Sequence, residues 1–326
     1  MSLLVCGSLA FDTLLGFEDR FARHLLPEHL SKLSAAFRAP TMRREWGGCA
    51  GNIAYSLGLM GETPRVLGAV GADFAPYRAH LERHGVDTGA IRAFDDAYTA
   101  QCFIISDADG NQITAFHPGA MDRSAHLSVA DLPARPTLAI VAPSGREGSL
   151  RFARELAGQG VPFVFDPGQE LPLFSRDELV ALVDAAAWVT VNDYESELLI
   201  ERSGLSLAEI AARVTALIVT RGAAGSTIYA GGDALEIAAA PLEAPLVDPA
   251  GCGDAYRAGL LYGLARGLPW ADTGRIASLL GALVAEQPGA QNHAFELAEL
   301  AARYRRAYGR DWPGGDAHTR TSCGEG

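Results

Sequence analysis

Short, continuously apolar runs recur along this chain, and stretches of helical periodicity separate them. Leu3–Gly7, Arg65–Val70, Thr137–Ala142, Val161–Asp166, Trp188–Asn192 and Leu217–Thr220 read as strands. Several lack the alternation of a half-exposed strand, as expected when both faces of a parallel sheet are covered. Asn52–Met60, Tyr77–His84, Glu147–Gln159, Arg176–Ala185 and Tyr194–Ser203 carry helical patterns, and Gly253–Arg266, Trp270–Glu286 and Phe295–Tyr308 make the last third helical. This alternation predicts an α/β fold with a doubly wound, mostly parallel sheet flanked by helices.

Two regions break the rhythm. Thr13–Trp46 holds a charged, helical insert (Glu18–Phe37) followed by the extended RAPTMRREW. In the second, Ala97–Ile105 and Gln112–Phe116 flank DADGN, whose Asp109-Gly110 is a hairpin signal. Both fit a small β lid better than a parallel sheet. The expected organisation is a core from 1–12, 47–96 and 119–310, a lid from 13–46 and 97–118, and a polar, mobile tail over 311–326.

Charge and cysteine usage narrow the ligand. The chain carries 27 basic and 39 acidic residues, a net charge of −12, and no basic run. That argues against nucleic acid and for a small metabolite. No apolar stretch approaches the roughly 18 residues of a membrane span. Five scattered cysteines form no CxxC pair, so neither a disulfide framework nor a zinc site is expected, and a reducing cytoplasm is the simplest home.

The chemistry concentrates in Asp248-Pro-Ala-Gly-Cys-Gly-Asp254-Ala-Tyr-Arg-Ala-Gly259. Gly251 and Gly253 bracket Cys252 immediately before a strong helix. Backbone N–H groups converging there, with the positive end of the helix dipole, suit a transferring phosphoryl group. An aspartate at the mouth of such a hole can accept the proton of an attacking hydroxyl. The competing reading is an ordinary capped helix after a glycine turn. This segment resembles the C-terminal signature of the ribokinase-like (PfkB) family of carbohydrate and nucleoside kinases. The resemblance implies a ribokinase-like fold, Asp254 as catalytic base, and an anion hole from the Gly251–Cys252–Gly253 amides. Pro249 and Ala250 stand where the family often has threonines, which removes a side-chain hydroxyl and leaves the amide cradle.

Four further segments carry the same resemblance, which covers nearly the whole chain. Gly7-Ser-Leu-Ala-Phe-Asp12 ends the first strand, at the edge where open α/β sheets bind ligands; in the family an aspartate here grips vicinal sugar hydroxyls, as two O–H donors suit one carboxylate. Trp46-Gly47-Gly48-Cys-Ala-Gly-Asn52 is similar to the GGxxxN signature, implying that Gly47 and Gly48 admit the sugar and Asn52 bonds a hydroxyl. Asn192-Asp-Tyr-Glu195 matches NxxE, implying Mg²⁺ and phosphate organised by Asn192 and Glu195, largely through water. Thr220-Arg221-Gly222-Ala-Ala-Gly225 resembles the nucleotide-side TxGxxG turn, with Arg221 equally a phosphate contact or a solvent-facing residue. Asp248 resembles the family's monovalent-cation site, so K⁺ joins ATP and Mg²⁺ among the implied ligands.

The acceptor is expected to be a nucleoside, phosphorylated at its 5′-hydroxyl. The insert enlarges the lid, Phe103 and Phe116 offer rings to a base, and GCGDAYRAG is similar to bacterial nucleoside kinases of the adenosine/inosine type. Gln101, Gln112 and Gln169 are candidate partners for the base, since an amide both donates and accepts. A free-sugar kinase is the alternative, and a sensor that keeps the fold without catalysis is a more distant one. An NAD-binding Rossmann enzyme is disfavoured because GSLAFD stands where GxGxxG is required. Lid edge strands make a homodimer one expectation; a lid covering its own edge would leave a monomer.

Overall fold

The computed structural model describes residues 2–25 and 35–315. Among these residues, nine strands form the main sheet. Their spatial order is β13 (Asp233–Ile237), β12 (Ser226–Ala230), β11 (Ala216–Thr220), β10 (Trp188–Asn192), β9 (Phe163–Phe165), β8 (Leu138–Val141), β1 (Leu3–Cys6), β4 (Arg65–Gly71) and β5 (Ile91–Phe94). From β5 to β11 every neighbouring pair is parallel, and β12 and β13 close one end antiparallel.

The apolar runs are double-sided, as their composition requires. Leu3 and Val5 of β1 enter one core, Leu4 and Cys6 the other. The first core is covered by α1 (Cys49–Leu59), α2 (Ala75–Arg83), α7 (Cys252–Ala265), α8 (Trp270–Ala285) and α9 (Leu297–Tyr308). The second lies under α3 (Arg146–Gly158), α4 (Arg176–Ala185), α5 (Asp193–Ser203) and α6 (Leu207–Arg213). Capping boxes start α4, α5 and α6, where Ser175, Asn192 and Ser206 each pair with a glutamate three residues on.

A second, four-stranded sheet forms the lid, in the order β3 (Thr41–Gly47), β2 (Ala10–Gly16), β6 (Ala100–Ser106) and β7 (Gln112–His117). The hairpin between β6 and β7 closes on Asp107, whose Oδ1 accepts from the amides of Asp109 (3.0 Å) and Asn111 (2.9 Å).

The architecture follows the expectation, with four differences in detail. The first strand ends at Cys6, and a new strand begins at Ala10, so Asp12 sits on the lid rather than at a core-strand end. Between Glu18 and Phe37 the described residues form a single 3₁₀ turn, Phe21–Arg23, in place of a helix; Phe17, Phe21 and Phe37 pack their rings together there. The rest of that expected helix, 26–34, lies outside the described residues, as does 316–326 of the tail. The start of the tail is anchored: Trp312 packs on Tyr262 and Tyr304, and Gly314 accepts from the Tyr262 hydroxyl. Finally, β5, β13 and α6 were not anticipated, being short elements whose residues are largely exposed.

The helix that opens at the phosphate-type loop is fixed by its packing on α8. A Cβ added at Gly259 of α7 would lie 2.5 Å from Ala277 Cα and 2.8 Å from Ala277 N. Gly259→Ala is therefore expected to cost about 1–3 kcal/mol by overpacking, read as a lower urea midpoint at unchanged slope.

Candidate active site

The strand order reverses between β1 and β8, and open α/β sheets hold ligands in the crevice at such a point. The N-terminus of α7 sits at this crevice. Gly251 precedes it with φ +80, and a Cβ there would meet Ala290 Cβ at 2.5 Å, so the turn needs glycine. The first helical bond runs from Ala255 N to Gly251 O at 2.9 Å, which leaves the preceding amides in the first turn outside the i→i−4 ladder. Asp254 stands in this turn, half-buried. Its Oδ2 accepts from Asn52 Nδ2 of α1 at 2.8 Å. Burial pushes its carboxyl up to about 6 against the lowering effects of Arg257 and Asn52. Such a group is a base near neutral pH and an acid just below it.

Arg257, one turn along α7, is 6 % exposed and lies against the 2 % exposed Asp166 at the end of β9. Its Nη2 donates to Asp166 Oδ1 at 2.7 Å and stands 3.8 Å from Glu195 Oε2. A Cβ on Gly253 would come within 2.9 Å of Arg257 Nη1. The buried cation thus underlies the glycine loop.

The lid brings one polar face to this crevice. Asp12 of β2 is in register with Glu45 of β3 and Cys102 of β6, and Cys102 with Phe116 of β7; residues paired in this way share a face. Burial first, then Glu45 and Asp248, push the Asp12 carboxyl up to about 6. Gly48, at φ +86, has no room for a Cβ, which would lie 2.6 Å from Ser8 O; Gly47 beside it ends β3. Phe103 and Gln101 pair with Thr13 and Phe11, on the opposite face. They are turned away from Asp12, and Gln101 is held by Asp73 at 3.0 Å. Gln112 shares the Asp12 face at its far end and bonds Ser106. Gln169 is exposed on the 3₁₀ turn just after Asp166.

On the other flank, Asn192 and Thr220 are register partners at the carboxyl ends of β10 and β11. Asn192 and Glu195 are occupied with each other: Glu195 N donates to Asn192 Oδ1 (2.7 Å) and Asn192 N to Glu195 Oε2 (2.8 Å). The Gly222–Ala224 turn and Gly225 lead from β11 to β12. Arg221 is held by Thr227 and, at 3.6 Å, by Glu236, which ties its guanidinium to the antiparallel end of the sheet. Asp248 braces the glycine loop, accepting from Ala250 N (2.9 Å) and Gly289 N (3.0 Å), with Arg43 of the lid 3.8 Å away.

The profile of the pfkB family carbohydrate kinases matches residues 17–296. The chain belongs to this family. It is an ATP-dependent phosphotransferase with an alcohol group as acceptor. Among relatives of the pfkB family, a nucleoside kinase of Methanothermobacter thermautotrophicus is 31% identical over 321 residues, covering 95% of this chain and 98% of that protein. The solved nucleoside kinase of Burkholderia thailandensis in complex with inosine is 46% identical, with a TM-score of 0.86, covering 95% of this chain and 99% of that one. The Methanocaldococcus jannaschii nucleoside kinase structure is 26% identical with a TM-score of 0.85, over 94% and 99%.

Within this pfkB site the donor set suits a weakly held hard cation. Glu195 brings a carboxylate beside the glycine loop while Asp166 is taken up by Arg257, and no group of three or more metal-ligating side chains occurs among the described residues. An Mg²⁺ ion keeps several of its waters and needs only one or two carboxylates. Asp248 differs, since two amides already share its oxygens and Arg43 faces it, so a monovalent ion would have to divide the carboxylate with them. Sequence reasoning missed Asp166 and Arg257. Asp166 had been read as a strand terminus, and Arg257 lies three residues past Asp254, a spacing that places both on one helix face.

The raised carboxyl of Asp254 has a stability consequence. Its folded form binds the proton more tightly than the unfolded chain, so this contribution is complete below about pH 4 and is lost as pH rises through about 6. Asp254→Asn removes that loss. The variant should melt above the wild type at pH 7.5, and the difference should shrink towards pH 4; a constant difference would mean Asp254 is not buried against its charge.

Proposed function

We propose that this kinase transfers the γ-phosphoryl of ATP to the 5′-hydroxyl of a purine-type nucleoside, giving a nucleoside monophosphate and ADP, with Asp254 as the base. The observation that supports the reading is the Asn52–Asp254 bond, which joins α1 to the start of α7. The Burkholderia relative, solved with inosine and with ADP–inosine, supports the purine nucleoside.

In this reading Asp12 and Asn52 hold the ribose so that its primary hydroxyl faces Asp254. Asp254 takes the hydroxyl proton as the oxygen attacks phosphorus, and the amides of Gly251, Cys252 and Gly253 receive the charge of the transferring group. Arg257, below Gly253, adds positive potential there. Phe116 is the lid aromatic on the nucleoside face, while Asn192, Thr220 and the Gly222–Gly225 turn line the ATP flank. Mg²⁺ near Glu195 and Asn192 offsets phosphate charge when bound. Asp248 acts as the loop brace, a role K⁺ would share. The outer lid face, where Met42 (70 % exposed), Phe103 (42 %) and Ile113 (39 %) stand in the open, fits a second copy of the chain. The free thiols of Cys6, Cys49, Cys102 and Cys252 suit a reducing cytoplasm.

A coupled ADP-release assay with adenosine, inosine, guanosine, cytidine, ribose and fructose tests the substrate. Nucleoside turnover is expected, falling on the order of 10²–10⁴ in Asp254→Asn. Ribose or fructose alone being turned over would replace this reading with a free-sugar kinase. The pH profile tests the two carboxylates separately. With Asp12 and Asp254 both titrating at about 6 in the free enzyme, log kcat/KM should fall with slope two below that pH and log kcat with slope one. Slope one in both would remove Asp12 from nucleoside binding.

A further inference from the structure

Behind Asn52 runs a buried polar chain that the mechanism above does not use. Gln291, 3 % exposed, lies on the turn after α8. Its Nε2 donates to Asn52 Oδ1 at 2.8 Å and to the Tyr77 hydroxyl at 2.5 Å. Its Oε1 lies 3.1 Å from Nε2 of His80, which is 7 % exposed. Tyr77 donates onward to Gly47 O at 2.8 Å, at the end of lid strand β3.

The donors and acceptors in this chain permit one orientation. The Tyr77 proton goes to a carbonyl, which can only accept, so Tyr77 must receive its other bond from an N–H of Gln291. That sets the Gln291 amide with its NH₂ towards Asn52. Asn52 must then turn its own oxygen to Gln291 and its NH₂ to Asp254. The reverse setting would put the Asn52 oxygen against a carboxylate and two NH₂ groups against each other. His80, whose ring burial first and then neighbouring His84 push down to about 4, is neutral and can supply a ring N–H to Gln291 Oε1.

The same turn touches the glycine loop and the lid as well. Gly289 bonds Asp248, Ala290 packs on Gly251, and Asn292 Nδ2 donates to Glu45 of β3 at 2.7 Å. Asp254 itself is faced by Arg257 and Cys252 on its own helix, Asp166 just past β9, Asn52 and Cys49 from α1, and Tyr77 from α2.

We propose that Gln291 is a positioning residue for phosphoryl transfer: it fixes the Asn52 amide with its NH₂ on Asp254, and through Tyr77 it ties the aim of the base to the end of lid strand β3. This rests on the reading of Asp254 as base. Gln291→Met keeps the length of the side chain and removes the donor. With the nucleoside and ATP saturating, kcat is expected to fall about 10- to 100-fold, the worth of the bond from a released Asn52 to the charged Asp254. The acid limb of the kcat–pH profile should move to higher pH, because the ionised base has lost a donor. In an Asn52→Ala background the same change should alter kcat less than about twofold. Tyr77→Phe should leave the acid limb in place. Should the methionine variant unfold, Gln291→Asn draws the amide back from Asn52 without adding a charge, so the same outcomes apply. An unmoved acid limb, or an equal loss with and without Asn52, would make Gln291 a packing residue and overturn the proposal. Asp254→Asn separates the two levels: an active Asp254→Asn enzyme removes the base reading itself, whereas an inactive one with an unmoved limb in the Gln291 variant removes the Gln291 assignment alone.

Discussion

The Asp254 carboxylate, proposed to act in its ionised form, stands where much of its water has been removed, and the surrounding structure answers that conflict. Burial alone drives Asp254 towards its neutral form. Asn52 and Arg257 pull it back, and each is itself held in place from behind. Arg257 carries a charge that would be costly at 6 % exposure without Asp166, which is still more deeply buried. A buried pair of this kind adds little net stability. Its effect is to fix a positive charge beneath the loop on which a phosphoryl group would rest.

The glycine loop is shaped by what presses on it as much as by its own hydrogen bonds. Ala290 leaves no space for a side chain at Gly251, Asp248 gathers the amides of Ala250 and Gly289, and α8 lies within contact of Gly259 further along the same helix. Distant segments therefore set one local geometry. The turn after α8 has the largest share, although it contains no acid, lysine or arginine between Gln287 and His293.

How much of this was legible in the sequence follows from where each signal resides. Strands such as Leu3–Cys6 were visible because both their faces are apolar, and Asp254 because glycines, an acid and a helix start coincide within a few residues. Asp12 was assigned to the wrong strand, since residues 7–9 give no mark that one strand has ended and another will begin. Phe103 and Phe116 looked equivalent in the sequence; only the pairing of β6 with β7 puts them on opposite faces. The Gln291–Asn52 contact joins residues 239 apart, and a lone glutamine carries no pattern that could announce it. Arg221 was left open between two roles because its partners, Thr227 and Glu236, depend on an antiparallel strand pair that was not anticipated in full.

The lid's central pairing has a bearing on how the molecule is made. Strands β2 and β6 run parallel, with Ala10 against Ala100, so no turn can bring them together. The chain between them must first build α1, β4, α2 and β5 on the core. Closing so long a loop is entropically unrewarded until those units are in place. The completed lid is thus a late product of assembly, contingent on the body it covers, and a nascent chain holds one edge of its first lid strand unpaired until synthesis has passed β6.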